Sequence, residues 1–363
     1  MPDAPLPALS SAPTAHAIQA ALDAKTKPPG ALGRLETLAA QAARVQGTLA
    51  PEADPARVVV FAADHGVAAR GVSAYPAEVT AQMVAVAASG GAAVSVLARS
   101  VGASVEVVDV GVASDTSGFA GVQQAVVRRG TRDLTREPAM TEAECAAARE
   151  VGREAARRAA RAGVRTLALG EMGIGNTTAA AALVAALTGV PPEAAVGRGT
   201  GVDAAGLARK VAAVQTALAR GEGVPPDRPA GPLATLARLG GLEIAALVGA
   251  MLEAPAHRML VLVDGVIATA AALVAVRAEP STAGALVFAH RSADAGHAAA
   301  LHALGAEPLL DLGMRLGEGT GAVLAVPLVR AACAMLCEMA TFEGAGVSGP
   351  EAAPATPSAA AST

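Results

Sequence analysis

Short, largely apolar runs alternate with longer Ala-rich stretches along most of this chain. The runs Arg57–Ala63, Ser104–Val110, Val164–Leu169, Met259–Val263 and Ala285–Ala289 have strand length and strand-forming side chains. The stretches Ala77–Ala88, Thr177–Leu187, Ala268–Val276 and Asp294–Leu304 predict helices. Strands apolar on both faces, separated by helices, specify an α/β fold: a parallel sheet covered by helices on both faces, with right-handed crossovers. The segments 16–50 and 325–347 are helical with no strand between helices. They predict a smaller helical domain built from both chain ends, beside a large α/β domain over residues 51–324. Residues 1–15 and 348–363 are rich in Pro, Ala, Ser and Thr and are expected to be disordered. Arg220 to Leu242 is punctuated by Pro and Gly and reads as a surface loop leading into another helix.

Composition narrows the function classes. The 363 residues include one Tyr, four Phe and no Trp, too few rings for a base-stacking platform. Lys plus Arg (28) and Asp plus Glu (32) nearly cancel, giving a net charge of −4 with no cationic surplus for a nucleic-acid backbone. The apolar share of 53% must be packed from Ala, Val and Leu. Three cysteines, Cys145, Cys333 and Cys337, are too sparse for a disulfide framework or a zinc site. No metal is expected, and the chain reads as reduced and cytoplasmic. Val79 to Ala98 carries no charge and is long enough to cross a bilayer. Its Thr80, Gln82, Ser89, Gly90, Gly91 and Ser95 point instead to a buried helix pair with a small-residue turn. The first fifteen residues lack the basic-then-apolar pattern of a signal segment.

In an open parallel sheet, ligands lie beyond the carboxyl ends of the strands. Here those ends are polar: Asp64-His65-Gly66, Asp109 with Gly111, Gly170-Glu171-Met172, Asp264-Gly265 and His290-Arg291-Ser292. A single acid at a strand end is commonly a helix N-cap. Several aimed at one crevice point to a site.

The stretch Gly170 to Thr178 places three glycines before Asn176-Thr177-Thr178 and an Ala-rich helix. Converging backbone N–H groups and a helix N-terminus suit a phosphate. The spacing approaches that of a Walker loop, but Asn176 stands where a Lys must be. A monophosphate fits better than a nucleoside triphosphate; a plain glycine turn capped by Thr177 is the structural alternative. A second loop, Gly197-Arg198-Gly199-Thr200-Gly201, is followed on a helix by Arg209 and Lys210, which could supply a cation. Glu318, flanked by Gly317 and Gly319, is an exposable carboxylate in an apolar setting. Such a group has a raised pKa and suits a general base, with a solvated turn acid as the alternative.

Taken together, several segments resemble the nicotinate-nucleotide–dimethylbenzimidazole phosphoribosyltransferase family. They are Lys27-Pro28-Pro29-Gly30-Ala31-Leu32-Gly33-Arg34-Leu35-Glu36, Ala63-Asp64-His65-Gly66, Gly71-Val72-Ser73-Ala74-Tyr75-Pro76 and Gly170 to Thr178. Gly197 to Gly201, His290-Arg291-Ser292 and Leu316-Gly317-Glu318-Gly319-Thr320-Gly321 complete the set, which spans residues 20–347 in order. The resemblance implies transfer of phosphoribose from nicotinate mononucleotide to 5,6-dimethylbenzimidazole, with inversion at the anomeric carbon. It implies a homodimer acting on small molecules, with no cofactor, nucleic acid or membrane. By the same resemblance Glu318 is the catalytic base, and Glu171 and Lys210 line the ribose-phosphate side. Gly173, Gly175, Asn176, Thr177 and Arg315 hold the phosphate. Ser73, Tyr75 and Gln82 border the base pocket, with Met172 and Leu316 as apolar walls. Asp264, His290, Arg291 and Ser292 share the crevice without an assigned role. Transfer to another base, a non-catalytic nucleotide sensor and a P-loop ATPase are the competing readings.

Overall fold

The computed structural model describes residues 12–199, 201–220 and 231–348. Most of the two terminal segments expected to be disordered therefore lies outside the described residues. The exception is the stretch before Ala15, where Thr14 accepts the Ala17 N–H and caps helix Ala15–Asp23. That start is ordered because Ile18 and Leu22 give the helix a buried face.

By compactness the chain divides into two units, one taking residues up to Pro51 and from Ala332 onwards, the other Glu52–Ala331. In the first unit, helices Ala15–Asp23 and Arg34–Gln46 come from the N-terminal side. The last turns of helix Thr320–Glu338 and the short helix Phe342–Ala345 come from the C-terminal side. The two ends are tied by backbone: Thr26 N–H donates to Ala340 O (3.0 Å), and Phe342 N–H donates to Ala24 O (3.0 Å). Lys27 and Glu36 form a buried ion pair at 2.9 Å, and Glu36 also accepts the Leu32 N–H.

Among the described residues, the second unit holds six parallel strands: β1 (Ala56–Ala63), β2 (Ser104–Gly111), β3 (Val122–Gln124), β4 (Thr166–Met172), β5 (Leu260–Val263) and β6 (Leu286–Phe288). Their spatial order, β3-β2-β1-β4-β5-β6, is that of a doubly wound sheet. The order reverses between β1 and β4, and their carboxyl ends frame the crevice. Alternation along the strands sends side chains to opposite faces. Val59, Phe61, Leu167, Leu169, Val261 and Val263 join the main core with the helices that follow β4 and β5. Val60 and Val107 face the other way, towards Met83, Val84 and Val94.

Small residues set how closely the layers approach. A Cβ at Gly152 would lie 1.8 Å from Ala246 O, and one at Gly249 would lie 1.9 Å from Arg149 O. Helices Glu142–Arg161 and Leu242–Glu253 therefore cross with backbones in contact, which any side chain at those two positions would prevent.

The structure departs from the sequence expectations in two places, at β3 and in Arg220–Leu242, and matches the helix pair expected from Val79. β3 lengthens the sheet; with only three residues, two of them Gln, it carries no apolar run. The expected loop Arg220–Leu242 contains helix Pro232–Leu239, whose Leu236, Ala237 and Leu239 are buried. Pro232 there starts the helix, since its fixed φ and missing N–H are tolerated at the first turn. The uncharged stretch from Val79 is long and apolar enough to cross a membrane, as is Thr320–Glu338. The first of these is two helices, Val79–Ala88 and Ala93–Ser100, broken around Gly90.

Candidate active site

β4 runs on through Gly170, Glu171 and Met172, so these residues are strand rather than loop, and the turn proper is Gly173–Gly175. Gly170 is required by packing. A Cβ there would lie 2.4 Å from Glu318 O and 2.5 Å from Gly319 N. The turn carrying Glu318 thus crosses directly over β4. Gly317 is constrained by its left-handed backbone (φ 87°), and a Cβ there would lie 2.7 Å from Glu171 Oε1. The two sequence motifs interlock, and this brings Glu171 and Glu318 to one site.

Gly173 and Gly175 lean on β1: a Cβ at Gly173 would lie 2.3 Å from Ala63 O, and one at Gly175 3.1 Å from His65 Cβ. Beneath them His65 Nε2 pairs with Glu243 Oε1 at 2.6 Å, with both side chains fully buried. Thr80 Oγ1 accepts the Ile174 N–H at 3.1 Å. Helix Asn176–Thr188 begins at once, with Gly175 as its N-cap at φ 99°. Among the described residues no side chain caps this helix, and its first residues, Asn176 and Thr177, line the crevice. The positive end of the helix dipole is thereby offered to an anion.

A crevice of mixed polar and apolar lining follows from this arrangement. It is lined by Glu171, Asn176, Thr177, Asp294 and Arg315 among others, with Glu318 at one end. Asn176 Nδ2 donates to Glu171 Oε2. Burial pushes the Glu171 carboxyl well above the usual carboxylate range, and the charges of Glu243, Asp264 and Glu318 push the same way. Lys210, almost fully buried, donates to Thr177 Oγ1 at 2.8 Å. Burial lowers its pKa to about 8, against a smaller opposing effect of Asp294. Arg315 is largely exposed and donates to Gly199 O at 3.0 Å.

On the other side of Glu318 lies a narrow slot lined by Val60, Met83, Val84, Ala87, Val94, Val107 and Met172. Among the described residues its only polar side chain is Glu318, which is buried and held at φ 62° between two left-handed glycines. Burial raises its pKa first, and the charge of Asp264 adds to this; a hydrogen bond from the Val94 backbone works in the opposite direction. Glu318 Oε2 has no hydrogen-bond partner among the described residues. One carboxylate oxygen is therefore free at the junction of slot and crevice.

The residues named from sequence distribute unevenly. Glu171, Met172, Gly173, Asn176, Thr177, Arg315, Leu316 and Glu318 line the crevice together. Gly175 and Lys210 stand directly behind it. Ser73, Tyr75 and Gln82 line neither cavity. Tyr75 is 52% exposed, and Ser73 Oγ accepts the Tyr75 N–H. Gln82 and Val86, one helical turn apart, share the exposed face of their helix, while Met83, Val84 and Ala87 turn inward. Leu316 is 58% exposed and borders the crevice, not the slot. The slot-lining residues could have been found from the helical spacing of positions 83, 84 and 87. Asp264 and the His65–Glu243 pair gave only the generic signal of polar residues near strand and helix ends.

Comparison with known proteins agrees with this geometry. A family model described as phosphoribosyltransferase matches residues 8–347. The chain is 55% identical over 333 residues to the nicotinate-nucleotide–dimethylbenzimidazole phosphoribosyltransferase of Ralstonia nicotianae, covering 91% of this chain and 93% of that one. It is 54% identical over 344 residues to the protein of the same name from Chromobacterium violaceum, covering 95% and 98%. The crystal structure of CobT from Thermus thermophilus matches with a TM-score of 0.87 at 50% identity, covering 91% of this chain and 98% of that one. With sequence and fold both matched along nearly the full length, the chain belongs to the nicotinate-nucleotide–dimethylbenzimidazole phosphoribosyltransferase family.

Proposed function

We propose that the protein transfers phosphoribose from nicotinate mononucleotide to 5,6-dimethylbenzimidazole, giving nicotinate and α-ribazole 5′-phosphate for the lower ligand of cobalamin. The observation that carries this reading is Glu318, a buried carboxylate with one free oxygen, set between an aliphatic slot and a cation-backed crevice. The slot encloses only about 10 Å³ as it stands; its aliphatic lining suits an apolar base that parts the walls, and the crevice suits a sugar phosphate.

In this reading the opening turn of helix Asn176–Thr188, with Thr177 and Lys210, holds the 5′-phosphate. Glu171 and Asn176 face the ribose. The benzimidazole enters the slot with its N–H towards Glu318 Oε2. Its other nitrogen attacks C1′ from the face opposite nicotinate, and the C1′–N bond to the pyridinium breaks. That electron pair neutralises the cationic ring, so nicotinate leaves without a Lewis acid. The proton bound to the benzimidazole becomes acidic as the new bond forms, and Glu318 takes it. A base with a raised pKa is well matched to that proton. In this reading the enzyme is a cytoplasmic homodimer acting on small molecules without a cofactor; the low aromatic content and balanced charge argue against a nucleic-acid partner.

The test is incubation with nicotinate mononucleotide and a panel of benzimidazoles and purines, with products identified by mass. Nicotinate release matched by a benzimidazole riboside phosphate is the expected outcome. Nicotinate released with free ribose phosphate, or a purine adduct formed in preference, would overturn the proposal.

A further inference from the structure

Asp264 follows the last residue of β5 and is 1% exposed. It does not cap the helix that comes next in sequence, Val266–Ala278. Its Oδ2 accepts the Gly319 N–H and its Oδ1 accepts the Ala322 N–H, both at 3.0 Å. One carboxylate thus grips the residue after Glu318 and the first turn of helix Thr320–Glu338. A negative charge at that N-terminus is stabilised by the helix dipole. Glu318 occupies a left-handed backbone conformation that a residue with a Cβ adopts only when its surroundings compel it.

We infer that Asp264 is the positioning residue of Glu318: its carboxylate clamps the turn that aims the base at the junction of slot and crevice, and its charge acts on the base. The inference rests on the reading of Glu318 as general base.

The groups around Glu318 are few. From β4 comes Glu171, whose Oε1 lies against Gly317; from the end of β5 comes Asp264; from helix Ala93–Ser100 comes the Val94 N–H. Beyond β6, His290 sits 3.5 Å from Asp264 Oδ1, and Gly321 packs against its ring. Among the described residues no Lys or Arg lines the slot. After burial, the Asp264 charge is the largest influence raising the Glu318 pKa, so its removal makes Glu318 a weaker base. A cap with a purely structural role would not produce that effect.

The experiment is the pH profile of kcat, at saturating nicotinate mononucleotide and dimethylbenzimidazole, for the native protein, Asp264→Asn and Asp264→Ser. Glu318→Gln is assayed beside them. Asp264→Asn keeps an acceptor oxygen without the charge, and Asp264→Ser does the same with a shorter side chain. A folding defect in one therefore leaves the other readable. Both Asp264 variants are expected to move the acidic limb to lower pH by about half to one unit. They should lower the kcat plateau roughly tenfold while KM for nicotinate mononucleotide changes less than about twofold. An acidic limb that stays in place while turnover falls overturns the inference. Near-normal turnover in Glu318→Gln overturns the assignment of the base itself, so the two failures are distinguishable.

Discussion

The two sides of Glu318 solve opposite problems. In the proposed reading the crevice receives a doubly charged phosphate, and it offers a helix N-terminus and Thr177, with the buried Lys210 behind it. In the same reading the slot accepts a neutral ring; its walls are Val, Met and Ala, with one carboxylate. Both rest on the same strand: Glu171 of β4 faces the crevice, and Met172 borders both cavities. Charge is thus kept where it binds and withheld where it would compete with the reacting proton. A cation in the slot would pair with Glu318 and lower its basicity.

This division of labour fails most severely when the shared residue is changed. Glu318→Gln should lose about 10²–10⁴-fold in kcat while nicotinate mononucleotide still binds by calorimetry. The crevice side is tested next by Lys210→Met, expected to lower kcat/KM for nicotinate mononucleotide about 10–100-fold, with KM for dimethylbenzimidazole little changed. Because the Lys210 pKa is about 8, its charge is present below that pH and lost above it. Native kcat/KM for the nucleotide should accordingly fall as pH rises through about 8, and Lys210→Arg should remove that limb. The same shift makes folded stability rise with pH between about 8 and the ordinary lysine value, since there the unfolded chain binds the extra proton.

Ala87→Leu probes the slot alone. The added methylenes should raise KM for dimethylbenzimidazole about tenfold and leave nucleotide affinity unchanged, read by separate titrations of the two ligands. The smallest effect is expected at Leu316. It is mostly solvent-exposed, so Leu316→Ala should change either KM by less than about twofold. A large rise in the benzimidazole KM there would restore Leu316 as a wall of the slot.

Much of this arrangement is legible in the residues before any fold is known. Apolar runs mark five strands, because side-chain patterning is a local consequence of burial. Of the polar residues after them, Glu171, His290 and Ser292 line the crevice, whereas Asp64 and Asp109 accept backbone N–H groups and His65 pairs with Glu243. β3 is not legible, since a short edge strand of Val and Gln needs no apolar pattern. Tyr75 and Gln82 show the limit at the site. Proximity in sequence to a pocket-forming helix does not decide which face of that helix turns inward, and a rotation of about 100° per residue separates Gln82 from Met83. Gly170 shows a subtler limit. The sequence offers a glycine loop for phosphate, whereas the structure shows a glycine within a strand, kept small so that the Glu318 turn can pass over it.

The parallel α/β class, the scarcity of aromatic side chains and the set of polar motifs are properties of the sequence alone. They follow from hydrophobic periodicity and from the chemistry of each residue type. Only folding makes the Gly170 and Gly317 motifs interlock, lets Asp264 cap a helix more than fifty residues away, and leaves Glu318 with one oxygen free. Those facts depend on segments distant in the chain meeting at the strand ends, where burial and backbone geometry give a glycine-flanked glutamate a raised pKa and one free oxygen.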